Sequence, residues 1–155
     1  MVKNGAKDDV LGVEFAGSKT AKPATGVLEA IMDSELVVIC PSNPIVSIGA
    51  ILSVNGVREA LQKTKAKKVA VSPIVAGVPI KGPADKLMRG LGLEVSAFSV
   101  AKIYRDFVDV FIIDTLDVDE KSRIEGLGVK VKVTNTVMVS LEDKVALAKA
   151  VLKNI

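Results

Sequence analysis

The sequence predicts an α/β fold in which helices cover both faces of a mostly parallel, Rossmann-like sheet, giving a three-layer α/β/α arrangement. Short segments rich in Val and Ile alternate with longer segments of helical spacing along the 155 residues. Hydrophobic residues make up 49% of the chain but aromatic residues only 3%, so the core must be aliphatic, which suits a sheet buried on both faces. Polar loops containing proline directly follow two of the apolar segments. We therefore expect one α/β domain over 1–155.

Four segments have strand character. They cover 36–40, 68–74, 110–114 and 129–134, and a weaker fifth candidate covers 13–15. Because long segments separate the four, right-handed crossovers should join them into a parallel sheet. The loops that follow the strands would then meet at one edge, where ligands bind in open α/β sheets.

Helical spacing of apolar residues predicts the connecting helices. They cover 23–32, 44–52, 57–63, 83–91, 95–107, 119–127 and 140–152, and the break at Asn55-Gly56 separates the second from the third. The last helix has the clearest local signals. Ser140 can cap it, and Glu142 and Asp143 favour its first turn because carboxylates stabilise a helix N-terminus.

The charge balance argues against nucleic acid as a partner. The net charge is only +3, from 21 basic and 18 acidic residues. Neither an arginine cluster nor an interleaved aromatic platform is present. The one basic cluster, Lys63, Lys65, Lys67 and Lys68, fits a solvated connection before a strand.

The remaining composition restricts location and chemistry. The apolar runs are too short to cross a bilayer, and a polar N-terminus does not resemble a signal peptide, so we expect a soluble, cytoplasmic protein. A single cysteine, Cys40, predicted to be buried at a strand end, excludes an internal disulfide and a cysteine zinc site. The sequence has no histidine, which removes the commonest general base and every Ser-His triad.

The loop after the first strand, Pro41-Ser42-Asn43-Pro44, is the first candidate site. Pro44 could take the first helical position with Asn43 as the cap, which would leave backbone N–H groups near Ser47 available to an anion. The alternative is a rigid turn in which Asn43 and Ser47 satisfy local backbone groups.

The loop after the second strand supplies the next candidates. Lys81 and Gly82 precede a predicted helix start at Pro83, where a lysine could hold phosphate beside the helix N-terminus. Asp85 falls in the first turn of that helix. It could serve the helix dipole alone, ligate Mg²⁺ or anchor Lys81.

Two further groups are weaker candidates. Tyr104, Arg105 and Asp106 lie near a predicted helix end, but Tyr104 could equally pack its ring and expose its hydroxyl. Thr134-Asn135-Thr136 follows the fourth strand, but it could be a turn that bonds its own backbone.

Five motifs of the chain occur together in one known family. They are Pro41 to Gly49 (PSNPIVSIG), Ser72 to Val75 (SPIV), Lys81 to Lys86 (KGPADK), Leu91-Gly92 and Gly26 to Ile31 (GVLEAI). In this combination the chain resembles the 2-phospho-L-lactate transferase family of coenzyme F-420 biosynthesis. The resemblance implies an α/β/α homodimer that uses Mg²⁺. It also implies transfer of a lactyl or enolpyruvyl phosphate from a guanosine diphosphate-type donor to the ribityl hydroxyl of the deazaflavin Fo, with release of GMP.

The resemblance implies roles for the loop residues. Donor phosphate or Fo would be held by Ser42, Asn43, Pro44, Ser47 and the N–H groups around them. Gly82 of the second loop would take part in the same binding. Lys81 would neutralise the diphosphate, and Asp85 would serve the metal or the lysine. The chain departs from the family at Thr25, where a proline is expected, and at Asn135, where an acidic residue is expected.

The largest departure is length, because the glycine-rich N-terminal half of the family has no counterpart in this chain. We expect the catalytic residues mainly in that half, supplied by a separate polypeptide or lost to truncation. Two other functions stay open: a nucleotide-sugar-binding regulator of a related family, and an inactive half that mainly dimerises.

Overall fold

A computed structural model describes residues 9–153. Within these residues, six short strands, seven α-helices and one 3₁₀ helix follow one another. The strands are β1 Leu36–Ile39, β2 Lys67–Val71, β3 Ile74–Val75, β4 Val78–Pro79, β5 Val110–Ile113 and β6 Lys130–Val133. The α-helices are α1 Val27–Asp33, α2 Ile48–Leu52, α3 Val57–Lys63, α4 Ala84–Gly90, α5 Ala97–Tyr104, α6 Lys121–Glu125 and α7 Leu141–Leu152, and a 3₁₀ helix covers Thr115–Glu120.

The central sheet has four parallel strands in the order β1-β2-β5-β6. Val38 of β1 pairs with Val69 of β2, and Val69 pairs with Val110 of β5. The α/β/α Rossmann-like fold predicted from the sequence is therefore confirmed. All four carboxyl ends lie at the same edge because the strands are parallel.

The two faces of the sheet are covered unequally. One face packs against residues of α3, α4, α5 and α6, with Ala70, Phe111 and Ile113 at its centre. On the other face, Val69, Val71, Val110 and Ile112 pack against Leu147 and Val151 of α7. In the part of the chain that the structure describes, α7 alone forms the second helical layer.

The predicted strand over 68–74 is divided in two. β2 ends at Val71, and the chain then folds into the β3–β4 hairpin, which pairs Ile74 with Pro79. Its turn, Ala76-Gly77, has positive φ at both residues, 48° and 74°, as a tight two-residue hairpin turn requires. The Gly-containing stretch was interpreted as loop, and the pairing of two residues on each side was missed.

Other boundaries moved by a few residues. The second helix starts at Ile48 rather than at Pro44, because the intervening residues form a turn around Asn43. The helix expected over 119–127 is shorter than predicted. Its first two residues belong to the 3₁₀ helix, and α6 then covers only the five residues Lys121–Glu125. The candidate strand over 13–15 is not a strand.

The prediction that Cys40 is buried was wrong, because Cys40 is exposed. It follows directly on β1, which lies at an edge of the sheet that residues 9–153 form.

The predicted caps of the last helix are confirmed. The Ser140 hydroxyl accepts a hydrogen bond from the Asp143 N–H at 3.2 Å, and the Asp143 carboxylate accepts one from the Ser140 N–H at 2.9 Å. This reciprocal capping box fixes where α7 leaves the carboxyl edge of the sheet. Within residues 9–153, no helix combines the length and hydropathy that a membrane crossing requires.

Candidate functional site

A cavity of about 800 Å³ opens at the carboxyl ends of β1 and β2. Its volume lies in the range of small-molecule sites. Three loops line it, which follow β1, β2 and β6. The lining residues are Pro41, Ser42, Asn43, Val46, Ser47, Pro73, Ile80, Lys81, Gly82, Pro83, Ala84, Val137, Met138, Val139 and Lys144. The two loops that sequence reasoning singled out, around Asn43 and Lys81, thus share one cavity.

Asn43 shapes the loop after β1. Its side-chain oxygen accepts hydrogen bonds from the N–H groups of Ile45 at 2.9 Å and Val46 at 3.1 Å. Its backbone carbonyl accepts from the N–H groups of Ser47 and Ile48. These four N–H groups are therefore satisfied within the loop, and the expected anion site made of free N–H groups is not present.

The polar groups that the β1 loop offers to the cavity are side chains. The Asn43 oxygen is engaged locally, so its amide nitrogen is the part that can donate to a ligand. The hydroxyls of Ser42 and Ser47 can also donate, and Ser47 makes no side-chain bond to cap α2. The structure shows the alternative, in which Asn43 accepts hydrogen bonds from the local backbone. The resulting turn fixes the positions of Ser42, Asn43 and Ser47.

The β3–β4 hairpin positions Lys81. The Ile80 N–H donates to the Pro73 carbonyl at 3.1 Å, which closes the hairpin just before Lys81. At its tip, the Ala76 N–H donates to the Asp117 carboxylate at 2.9 Å. Burial raises the pKa of Asp117 more than this hydrogen bond lowers it, and the charge of Asp114 adds to the rise. The hairpin therefore rests on a buried carboxyl of the 3₁₀ helix.

Asp114, at the end of β5, anchors the loop after β6. Its carboxylate accepts from the Thr136 N–H at 2.7 Å, the Thr136 hydroxyl at 3.1 Å and the Leu116 N–H at 3.0 Å. Burial pushes the pKa of Asp114 upward, but these hydrogen bonds outweigh it and hold the pKa below its usual value. The anchored loop brings Val137, Met138 and Val139 to the cavity.

Lys144, in the first turn of α7, is the site residue that sequence reasoning missed. The capping signals around Ser140 predict where α7 begins. Because the fourth predicted strand precedes α7, this helix must begin at the edge of the sheet where the carboxyl ends of the strands lie. Together these two signals could have placed Lys144 near the loops of Asn43 and Lys81.

The cavity is positively charged. Lys81 and Lys144 are exposed, and neither forms an ion pair within residues 9–153. No carboxylate appears among the lining residues. Two ammonium groups beside hydroxyl and amide donors form a site that attracts a polyanion, while Val46, Ile80 and Met138 offer apolar surface to a ring.

Two residues predicted for the site lie elsewhere. Pro44 is fully buried behind the β1 loop and does not line the cavity. Asp85 lines a separate, smaller cavity of about 430 Å³ with Asp9 and Arg89, and its carboxylate is paired with Arg89 one helical turn on. Its position therefore matches the structural alternative, not an anchor for Lys81.

The weaker candidates also have structural roles. The ring of Tyr104 packs on Phe107 and Phe111, as expected. Its hydroxyl is buried rather than exposed, and it has no hydrogen-bond partner among residues 9–153. Asp106 accepts a hydrogen bond from the Arg58 side chain of α3 at 2.8 Å, and Arg105 is exposed just after α5. The Asn135 side chain accepts from the Val137 N–H at 3.0 Å, as a local turn does.

The described residues do not fit a magnesium site by themselves. Residues 9–153 contain no group of three or more Asp, Glu, Cys or His side chains that could hold a metal ion. Since oxygen ligands, above all carboxylates, are what Mg²⁺ selects, the two lysines of the cavity would repel the ion rather than hold it.

Comparison with known protein families gives a match along almost the whole chain. The family described as 2-phospho-L-lactate transferase CofD matches residues 2–151. The 2-phospho-L-lactate transferase of Methanocaldococcus jannaschii is 45% identical over 152 residues, covering 98% of this chain and 47% of that protein. The phosphoenolpyruvate transferase of Kitasatospora aureofaciens is 40% identical over 152 residues, with 97% and 47% covered. The chain spans about half the length of the curated relatives it matches, and corresponds to their C-terminal part.

Among solved structures, protein BH3568 of Bacillus halodurans has a similar fold. The TM-score is 0.55 at 19% identity, and the match covers 84% of this chain and 47% of that one. At this identity the likeness concerns the fold alone, and again about half of the longer protein is matched.

Proposed function

Because this chain belongs to the 2-phospho-L-lactate transferase family CofD, we propose that it forms part of an enzyme of coenzyme F-420 biosynthesis. In this proposal the enzyme transfers a phospholactyl or enolpyruvyl phosphate group from a guanosine diphosphate-type donor to the ribityl hydroxyl of Fo. The observation that carries the proposal is the cavity with Lys81, Lys144 and three uncharged donors, because its chemistry suits a diphosphate.

The proposed reaction is a substitution at phosphorus. The hydroxyl oxygen of Fo forms a bond to the phosphorus that carries the lactyl group, and the bond from that phosphorus to the bridging diphosphate oxygen breaks. GMP leaves with the electron pair. The hydroxyl proton passes to a base, which we assign to the N-terminal half of the family because the cavity lining holds no carboxylate and the chain no histidine.

The residues of this chain bind and orient the donor. Lys81 and Lys144 neutralise the diphosphate oxygens and lower the cost of the charge that develops on GMP. Ser42, Ser47 and the amide nitrogen of Asn43 donate hydrogen bonds that fix the phosphates in line for attack. The apolar residues Val46, Ile80 and Met138 pack on a planar ring of donor or acceptor.

Three other properties stay predictions of the family resemblance. They are the dependence on Mg²⁺, a homodimer and a cytoplasmic location. Because the described residues do not fit a magnesium site, no step above uses the ion, and Asp85 is a poor candidate for it while Arg89 holds its carboxylate. Titration of the transfer reaction with a chelator measures the metal dependence directly.

Binding of GDP to variants of the chain tests the role of the cavity. We expect Lys81→Ala and Lys144→Ala each to weaken GDP binding about 5- to 10-fold in calorimetry, because an exposed phosphate contact contributes about 1 kcal/mol. Lys102→Ala is the matched control, since Lys102 is exposed on α5 and outside the cavity lining. An equal loss in Lys102→Ala, or tighter binding of a UDP-sugar than of GDP, would reject the proposal and favour a nucleotide-sugar-binding protein.

A further inference from the structure

Three carboxylates join separate parts of the chain at the carboxyl edge of the sheet. They belong to Asp114, which caps the 3₁₀ helix, and to Asp117 and Glu120 within that helix. Side chains three residues apart lie on the same face of a 3₁₀ helix. The groups that donate to them are the backbone N–H of Thr136 at 2.7 Å for Asp114, of Ala76 at 2.9 Å for Asp117 and of Phe98 at 2.7 Å for Glu120. The 3₁₀ helix therefore connects the loop after β6, the β3–β4 hairpin and the start of α5.

The bond from Ala76 to Asp117 differs from the bond between Thr136 and Asp114 in what it contributes to stability. Thr136 is fully buried and its N–H needs a protein acceptor, whereas Ala76 is exposed and its N–H can bond to water. Asp117 is only 6% exposed, and one of its carboxylate oxygens has no hydrogen-bond partner among residues 9–153. Burial of such an oxygen costs free energy. A residue that departs from the rules of stability in this way is expected where it serves a functional site.

The position of β4 depends on the turn before it, because little else holds this strand. β4 consists of Val78 and Pro79, and Pro79 has no N–H to donate to β3. Val78 is 60% exposed, whereas Ile74 on the partner strand is fully buried. β3 is therefore fixed by the core, and the turn that Asp117 holds determines how β4 leaves it.

Lys81 follows β4 closely and takes its position from the hairpin. Ile80 lies between them, and its N–H donates to the Pro73 carbonyl at 3.1 Å. On the other side of Lys81 is Gly82, whose φ of 72° lies in the left-handed region that glycine enters freely. The flexible side of Lys81 is thus the α4 side, and the constrained side is the hairpin.

Lys144, the other lysine of the cavity, comes to it on an element with a different anchor. It lies in the first turn of α7, and the reciprocal hydrogen bonds of Ser140 and Asp143 fix where that helix begins. A change at Asp117 should therefore affect Lys81 and leave Lys144 in place.

We propose that Asp117 is a positioning residue for Lys81: by holding the turn of the hairpin, its carboxyl group sets where β4 delivers this lysine to the cavity. The contact between Lys81 and a diphosphate rests on the proposed function, but the positioning of Lys81 does not. The bond to Ala76 requires an acceptor oxygen at residue 117 and not a charge, so Asp117→Asn should preserve it and Asp117→Ala should remove it.

Hydrogen exchange in the free chain tests the positioning without any ligand. In Asp117→Ala we expect the Ile80 N–H to exchange at least about 10-fold faster than in the wild type, because the hairpin opens more often. The Ser72 N–H donates to the Ile112 carbonyl at 2.9 Å in the sheet, so it is the internal reference and should change less than about 2-fold. Asp117→Asn should restore the wild-type exchange at Ile80. Asp119→Ala is the matched control, since Asp119 is exposed on the same 3₁₀ helix, and it should leave the exchange unchanged.

A double-mutant cycle on GDP binding tests whether Asp117 acts through Lys81. We expect Asp117→Ala alone to weaken GDP binding about 3- to 5-fold, because Lys81 then spends less time at the phosphates. In the Lys81→Ala background the same change should weaken binding less than about 1.5-fold, and in the Lys144→Ala background it should keep its full effect. Asp117→Asn should bind GDP as the wild type does. A residue needed only for folding would lower the free energy of unfolding, but its effect on binding would not depend on Lys81.

The outcomes separate the positioning from the function. The inference would be overturned by unchanged exchange at Ile80 in Asp117→Ala, by failure of Asp117→Asn to restore that exchange, or by equal losses of GDP affinity in the Lys81→Ala and Lys144→Ala backgrounds. If the exchange results are as expected but the wild-type chain binds no GDP, the positioning by Asp117 stands and the proposed function fails.

Discussion

Replacement of Asp114 by alanine should strongly destabilise the protein. The fully buried Thr136 donates both its N–H and its hydroxyl to this carboxylate, at 2.7 and 3.1 Å. In Asp114→Ala both donors would lose their acceptor, at about 1–3 kcal/mol each. The Leu116 N–H belongs to a residue that is 70% exposed, so it can bond to water instead. The expected loss is therefore about 2–6 kcal/mol, a large part of the total of about 5–15 kcal/mol for a domain.

Urea unfolding of Asp114→Ala and Asp119→Ala measures this loss. Asp119 is the matched control, because it is exposed on the same 3₁₀ helix and should change stability by less than about 0.5 kcal/mol. The pKa of Asp114 is lowered in the folded protein, so its contribution is present above 3.8, its ordinary value, and is lost as the pH falls through the lowered value. Asp114→Ala should lack that acid-side loss. A loss below 0.5 kcal/mol at pH 7 would refute the assignment of Asp114 as the anchor of Thr136.

Three other substitutions test features that position the cavity. Ala76→Gly should raise stability by up to about 1 kcal/mol in urea unfolding, because Ala76 has a φ of 48° that glycine adopts without strain, and a loss would contradict the hairpin turn. Burial raises the pKa of Asp117, so ionisation of this carboxyl lowers the stability of the wild type as the pH rises above 3.8. The free energy of unfolding of Asp117→Asn should therefore rise relative to that of the wild type between pH 4 and 7. A difference that stays constant over this range would reject the assignment. In Gly90→Ala the new Cβ would lie 2.6 Å from the Cβ of Val10, so the segment around Val10 must shift away from α4. Limited proteolysis should then cut near Val10 faster than in the wild type. Gly12→Ala is the control, because a Cβ at Gly12 meets no atom within 4 Å, and equal cleavage in both variants would contradict the contact.

Much of the sheet could be predicted from the sequence, because the Val- and Ile-rich runs are short, separate and followed by polar loops. Val57–Lys63 and the start of α7 lie where spacing and capping put them. The β3–β4 hairpin escaped prediction because its pairing covers two residues on each side and its turn uses Ala76, whose left-handed φ is unusual outside glycine.

The site was predicted in part. The loops of Asn43 and Lys81 were placed side by side because parallel strands bring their following loops to one edge. Lys144 was missed, since its place depends on how the chain crosses from β6 to the other face, which no local pattern encodes. The burial of Cys40 was wrongly predicted because an apolar run does not reveal whether its strand is central or at an edge of the sheet. The backbone N–H groups after Asn43 were predicted to bind an anion, but two of them donate to the Asn43 side chain.

The order of strands in the sheet repeats the order of strands in the chain. In the central sheet each new strand pairs with the strand of that sheet made before it, so the sheet can assemble step by step as the polypeptide leaves the ribosome. The face of Val69 and Ile112 is the exception, because it is covered by α7, which follows all four strands of the central sheet in the chain. A nascent chain arrested before Leu141 should therefore expose an aliphatic surface that chaperones bind, and release from them should coincide with emergence of the final helix.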